Sequence, residues 1–230
     1  MTLFSPADGY ALWAPSYAAE TAVSALESSL VESLGVSLAG KRVLDVGCGI
    51  ARRLAPARRA GASITVGIDL TPAMLAQARG EPMLAAADAR ALPVAGGAYD
   101  VVWCRLVLGH LPALEPAYLE LARVCARDGV VVVTDFHSAA AAAGHRRTFR
   151  DAQGELHEVE HHVHSIYAHR DAAARAGLSL CDCRDGVVHD AVRGFYERAG
   201  RLDMYERQLG LPLVLALVFR TRGVDGTCDC

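Results

Sequence analysis

Lysine is nearly absent from this chain of 230 residues: of 23 basic side chains only Lys41 is not an arginine, and 26 acidic residues outnumber them, for a formal net charge of −3. Nucleic-acid binders gather positive charge on one face to neutralise phosphates, so this balance steers away from DNA or RNA. Long apolar runs are missing too. No window approaches the roughly 18 apolar residues needed to span a bilayer, and the first residues, Met1-Thr2-Leu3-Phe4-Ser5-Pro6, lack the basic start and unbroken apolar stretch of a secretory signal. The expectation is a cytoplasmic protein without a membrane partner. The seven cysteines are scattered and odd in number, which excludes a small disulfide framework and predicts free thiols. There is no repeat of solenoid period. What is present is 52% hydrophobic and 21% charged, the composition of one folded domain spanning residues 1–230.

The apolar residues Val23, Leu26, Leu30 and Leu34 recur at intervals of three and four, which places them on one helical face and predicts an opening helix within residues 15–34. Residues 41–47 read as a short buried strand ending in glycine. A helix over 51–60 follows, bent by Pro56 and stopped by Gly61. Next come a strand over 63–69 and a helix opened by Thr71 as N-cap with Pro72 at its first position, running to Gly80. The alternation continues with strands at 83–88, 99–106, 130–136 and 178–183 and helices at 116–126 and 170–177. Such alternation demands a parallel sheet covered by helices on both faces. A last strand over 213–222 arrives after a helix-like excursion. Segments 138–165 and 185–209 exceed ordinary connections and are the expected substrate cap.

The strongest chemical signal is Val43-Leu44-Asp45-Val46-Gly47-Cys48-Gly49-Ile50-Ala51-Arg52 at the first strand-to-helix turn, with Asp69 ending the second strand. Glycines at such a turn let a ligand approach the backbone, and an acid some 20 residues later can accept hydrogen bonds from both hydroxyls of a ribose. A nucleoside-containing cofactor is implied. A dinucleotide site would need a third glycine for its pyrophosphate, and none stands at the required place.

The pattern resembles the class I S-adenosylmethionine-dependent methyltransferases, whose first motif reads acidic-x-G-x-G-x-G; Ala51 stands where the last glycine would be. Val66-Gly67-Ile68-Asp69-Leu70-Thr71-Pro72-Ala73-Met74 is similar to the second family motif, Asp88-Ala89 with Leu92-Pro93 to the third, and Tyr99-Asp100-Val101-Val102-Trp103-Cys104 with His110-Leu111 to the fourth. The segment 9–17 resembles the aromatic lid of the small-molecule branch. The resemblance implies a doubly wound, Rossmann-like α/β fold with a seven-stranded sheet, its last strand reversed, and residues 1–35 as a helical lid. It implies S-adenosyl-L-methionine as cofactor, leaving as S-adenosyl-L-homocysteine. It assigns cofactor contacts to Tyr17, Asp45, Gly47, Cys48, Gly49, Arg52, Asp69, Leu70, Met74, Asp88, Ala89 and Cys104. Asp69 would hold the ribose, and Asp88 with the Ala89 amide would read the adenine.

Methyl transfer is chiefly a positioning task, to which a general base can add. Of nine histidines, His110 and His137 fall where the carboxyl edge of the sheet is expected, and His137 is the preferred base. Tyr10, Trp13, His145, His162 and His164 are the expected acceptor contacts. Alternation would put His162 and His164 on one face and His161 on the other. The histidines with Glu158 and Glu160, and the Cys181-x-Cys183 and Cys228-x-Cys230 pairs, lack convincing ligand spacing, and no metal is expected. The expected activity is methyl transfer to an O, N or C nucleophile of a small molecule, by a monomer or homodimer. The arginine- and alanine-rich composition suggests a GC-rich bacterial genome, which bears on source and not on mechanism; bacterial secondary metabolism is the accompanying expectation. The competing reading is a non-methylating use of the scaffold, in cofactor-assisted cyclisation or as a binding module.

Overall fold

The computed structural model describes residues 1–221. Arg222, expected to end the last strand, and the Cys228-x-Cys230 pair lie outside the described residues. The chain opens with the strand Leu3–Phe4 (β1) and the helix Pro6–Trp13 (α1), where Ser5 accepts the Asp8 N–H as N-cap. A single turn over Ala14–Ser16 leads to the helix Ala22–Ser33 (α2). This helix starts just before Val23, the first residue of the apolar period and well inside the 15–34 window, because Thr21 and Ser24 form a reciprocal capping box, with bonds of 2.8 and 3.1 Å.

Then follow Arg42–Val46 (β2), Leu54–Arg59 (α3), Ile64–Asp69 (β3), the one-turn helix Pro72–Leu75 (α4), Leu84–Ala86 (β4), Tyr99–Arg105 (β5) and Glu115–Val124 (α5). Thr71 makes no side-chain cap to α4; its N–H donates instead to Asp69 Oδ1 at 2.8 Å. Cys125–Phe136 (β6) begins directly after α5, earlier than expected, because Asp128 turns at φ 62° and a bulge opposite β5 absorbs the extra residues. The remaining elements are Ser138–Ala142 (α6), Thr148–Arg150 (β7), Leu156–Val159 (β8), Ile166–Arg175 (α7), Leu178–Val187 (β9), Arg193–Arg198 (α8), Leu202–Gln208 (α9) and Pro212–Thr221 (β10).

Seven strands pair in the order β4-β3-β2-β5-β6-β10-β9, with β10 antiparallel to both its neighbours. The fold is therefore the doubly wound α/β sheet with a reversed last strand. Its centre is dry: Val43, Leu44, Val102 and Val131 to Val133 are wholly buried, which is why these strands read as unbroken apolar runs. The chain order reverses beside β2, where β3 lies on one side and β5 on the other, and a crevice opens there at the carboxyl ends.

Segment 138–165 folds as α6 and the β7–β8 hairpin, and β1 adds to that hairpin in parallel, Leu3 opposite Glu158. The N-terminal segment and the first insertion thus form one small three-stranded sheet. The second insertion departs from expectation: its first residues extend β9, and α8 and α9 follow, with Val188, Val192 and Tyr205 packing beside Leu26, Leu213 and Val214. That packing holds 185–209 away from the crevice.

Candidate active site

A cavity of about 350 Å³ lies at the carboxyl ends of β2, β3, β4 and β5 under α1 and α2. Its floor is the turn after β2. Gly47 and Gly49 have φ of 71° and 58°, and a Cβ on Gly47 would stand 2.1 Å from Val107 Cγ2, so this turn admits only glycine at 47. Ala51 also lies in the left-handed region, at φ 57°.

Asp69 closes the floor. Its Oδ2 accepts the Gly49 N–H at 2.7 Å and its Oδ1 accepts the Thr71 N–H at 2.8 Å. The carboxylate is thereby fixed with a further lone pair on each oxygen available to a ligand. Burial raises its pKa against the pull of those backbone bonds. Beside it, just past the end of the neighbouring β4, Asp88 is gripped by Arg90 through bonds of 2.9 and 2.6 Å, which holds its pKa below the ordinary carboxylate range. Leu70, Met74 and Ala89 complete that wall.

The lid is aromatic. Tyr10, Trp13 and Tyr17 pack together with ring centroids 4.9 to 5.9 Å apart, and Trp13 stacks on Phe149 of β7 at 5.0 Å. Arg52 donates to the Tyr17 carbonyl at 3.0 Å and its guanidinium lies 5.1 Å from the Tyr17 ring. Beneath the lid a hydrogen-bonded chain reaches the cavity. Arg147 donates to Tyr10 Oη at 2.9 Å, Tyr10 Oη lies 2.9 Å from His110 Nε2, and His110 Nδ1 lies 3.0 Å from the Glu160 carbonyl oxygen. A carbonyl only accepts, so Nδ1 carries the proton and Nε2 accepts from Tyr10. Burial and the charge of Arg147 push His110 down to about 3, and burial pushes Tyr10 up to about 12. Both groups are neutral near pH 7.

The residues expected from the sequence divide by placement. Tyr10, Trp13, Tyr17, Gly47, Cys48, Gly49, Arg52, Asp69, Leu70, Met74, Asp88, Ala89 and His110 face the cavity. Asp45 lies behind it, fully buried. Cys104 does not reach it: one residue short of the end of β5, its side chain enters the apolar core, and burial raises its thiol pKa. His137, the expected base, is turned away because its Nδ1 caps α6 by accepting the Ala139 N–H at 3.0 Å, while Nε2 stands 3.6 Å from Asp185. His164 Nε2 bonds the Leu111 carbonyl at 2.9 Å and His162 Nε2 lies 3.6 Å from Glu160, so neither faces the cavity. His145 lies beside Gln208 of α9, outside it as well. His161 turns inward to within 3.8 Å of Asp135.

The sequence reading missed a buried ionic cluster behind the turn. Arg105 makes two bonds of 2.7 Å to Glu27, Thr134 donates to Glu27 at 2.8 Å, and Arg53 stands 3.8 Å from Glu27 and 3.7 Å from Asp45. The signal was present: Glu27 interrupts the apolar face of α2, and Arg105 ends an apolar strand. Both oxygens of Asp45 are buried without a hydrogen-bond partner, and Arg53 at 3.7 Å supplies the balancing charge. The glycine floor, Asp69 and Arg52 fit S-adenosylmethionine, with its ribose and carboxylate. Among the described residues no group of three or more His, Cys, Asp or Glu could hold a metal ion, and no helix is long and apolar enough to cross a membrane.

Residues 44–133 match the family described as methyltransferase domain. An uncharacterized protein of Mycobacterium tuberculosis is 36% identical over 120 residues, 49% of this chain and 43% of that protein. The ubiquinone biosynthesis O-methyltransferase of Bordetella parapertussis is 40% identical over 113 residues, 46% of this chain and 45% of that enzyme. The matched part thus spans less than half the length of these curated relatives. Among solved structures, an S-adenosylmethionine-dependent methyltransferase from Mesorhizobium loti superposes with a TM-score of 0.68 at 20% identity, over 86% of this chain and 99% of that one. Residues 44–133 thus resemble the methyltransferase domain, and the fold of the chain is that of the Mesorhizobium loti structure.

Proposed function

We propose that the protein transfers the methyl group of S-adenosyl-L-methionine to an oxygen atom of a small molecule and releases S-adenosyl-L-homocysteine. The observation that carries this reading is Asp69, pinned by the Gly49 and Thr71 N–H groups at the edge of a cavity floored by a glycine turn. The choice of oxygen rests on the relative whose name is an O-methyltransferase. Asp69 would hold the ribose, Asp88 and Ala89 the base, and Arg52 the carboxylate of the amino-acid end, with Asp45 supporting the turn from behind. Bound there, the cofactor supplies a methyl group made electrophilic by its sulfonium.

The protein's own task is to orient and to exclude water. Tyr10, Trp13 and Tyr17 cover the cavity, and His110 holds the Tyr10 hydroxyl toward its interior. With its pKa near 3, His110 is too weak a base to strip an alcohol at neutral pH, so in this reading it is a positioning residue. A bacterial enzyme of secondary metabolism, cytoplasmic and monomeric or homodimeric, belongs to the same reading; the arginine-for-lysine composition supports the bacterial source and the free buried thiols Cys48, Cys104 and Cys125 a reducing compartment. The test is incubation of the full chain with methyl-labelled S-adenosylmethionine and fractionated small metabolites of a bacterial lysate. Label in a base-labile ester or a stable ether supports it. Label only on nitrogen or carbon, or none in any fraction, overturns it.

A further inference from the structure

Five arginines line the cavity, and three of them are neutralised: Arg53 and Arg105 by Glu27 and Asp45, and Arg90 by Asp88. Arg52, beside the glycine turn, contacts the carbonyl and ring of Tyr17 and is suited to the cofactor's own carboxylate. That leaves Arg147, which enters from the insertion at the foot of β7. The residue is half-buried, and its guanidinium lies 5.4 Å from the Phe136 ring and spends Nε and Nη2 on the Tyr10 hydroxyl at 3.3 and 2.9 Å. It makes no ion pair with any acid among the described residues: the buried Asp135 carboxylate acts on it only from beyond ion-pair distance. A charge taken from water is favourable only when paired. Tyr10 does not supply the missing charge, since burial keeps it a neutral phenol, and His110 is neutral as well.

We infer that Arg147, held in place by Tyr10, forms the binding site for a carboxylate on the methyl acceptor, so that the substrate class is a small carboxylic acid. The inference rests on the methyltransferase reading above and narrows it. One guanidinium matches a single negative charge, and its planar Nη1–Nη2 end, which the Tyr10 hydroxyl leaves with free N–H groups, matches the two oxygens of a carboxylate. A phosphate dianion would need a second free cation, and Arg52 is committed to the cofactor's end of the cavity. The site also explains the small three-stranded sheet: pairing of β1 with β8 carries Tyr10 of α1 and Arg147 of the insertion to the same spot.

The test uses the full chain saturated with S-adenosylhomocysteine and three probes of one shape, phenylacetate, phenylacetamide and phenyl phosphate, titrated by calorimetry up to millimolar concentration. Charged hydrogen bonds of this kind predict that phenylacetate binds at least about tenfold more tightly than phenylacetamide. Arg147→Met should abolish that preference while S-adenosylhomocysteine binds as before, and Arg147→Lys should retain part of it. Equal binding of acid and amide, no measurable binding of phenylacetate, a stronger preference for phenyl phosphate, or a preference that survives Arg147→Met would overturn the inference. Loss of S-adenosylhomocysteine binding by the parent chain would strike instead at the methyltransferase reading, so the two failures are distinguishable.

Discussion

Ala51 occupies a backbone conformation that favours glycine, φ 57°, at the place where the family motif has its third glycine. Left-handed backbone costs an L-residue about 1–2 kcal/mol. The Ala51 methyl is packed among Cys48, Leu54 and Ala78, which returns about 0.8 kcal/mol, and glycine would lose a further 0.5–1 kcal/mol to unfolded-state freedom. The opposing terms nearly cancel. Ala51→Gly should therefore change urea-denaturation stability by less than about 1 kcal/mol, whereas Ala51→Val, β-branched in the same strained turn, should lose about 2 kcal/mol or more. Equal stability of Ala51→Val and the parent would show that the turn is not strained.

His110 supplies a second residue-scale test. Its ring stays neutral, with the proton on Nδ1, as pH falls from about 8 to 4, because burial and Arg147 both oppose protonation. Nitrogen-15 chemical shifts of the imidazole should be constant over that range; a midpoint near the ordinary histidine value would contradict the hydrogen-bond chain. Asp69 behaves in the opposite sense. Its raised pKa means that the carboxylate protonates at higher pH than an ordinary aspartate, so affinity for S-adenosylhomocysteine should be full near pH 7 and begin to fall above the usual carboxylate range as the solution is acidified.

At the scale of elements, β2 and β5 are latched at their entry ends by Asp100, which accepts the Arg42 backbone N–H at 2.8 Å and both Nε and Nη2 of its side chain. Those bonds hold Asp100 down to about 2. A depressed carboxylate pKa contributes stability above its unfolded value, and that contribution is lost as pH falls through the folded value. Part of the acid destabilisation between about pH 4 and 2 should therefore vanish in Asp100→Asn, measured by thermal melts at each pH. Both side chains are partly exposed, so the effect is screened and modest. An unchanged pH slope would show that the latch contributes nothing.

Elements whose hydrophobic period is local were legible in the sequence: β2, β3, β5 and β10 stand close to where their apolar runs put them, and the turn at Gly47 and Asp69 follows from spacing alone. The β7–β8 hairpin and its union with β1 were not legible, because their register is set by pairing between residues some 150 positions apart. Arg147 could not be seen as a site residue before that pairing was known. His137 misled for a related reason. A position past the end of a central strand says where the backbone goes, and not which way the ring turns; here the free N–H groups at the start of α6 captured it.

For the whole molecule, the lid and the insertion act as one unit. The N–H groups of Glu158 and Glu160 donate to the Thr2 and Phe4 carbonyls at 2.9 Å, and Trp13 stacks on Phe149. Removing residues 1–17 should leave the seven-stranded sheet folded, raise hydrogen exchange across 148–160, and weaken cofactor retention, since a closing lid excludes water and completes a site. Unchanged exchange in that hairpin would show that the two segments are independent. Everything proposed for the molecule depends on the cavity at the carboxyl edge receiving S-adenosylmethionine through Asp69. Calorimetric titration of the full chain with S-adenosylhomocysteine, beside Asp69→Ala, tests this most directly. The expected result is one site per chain, weakened about tenfold or more by the substitution, as the loss of charged hydrogen bonds to a ribose requires; no binding by the parent, or equal affinity in the two proteins, would contradict it.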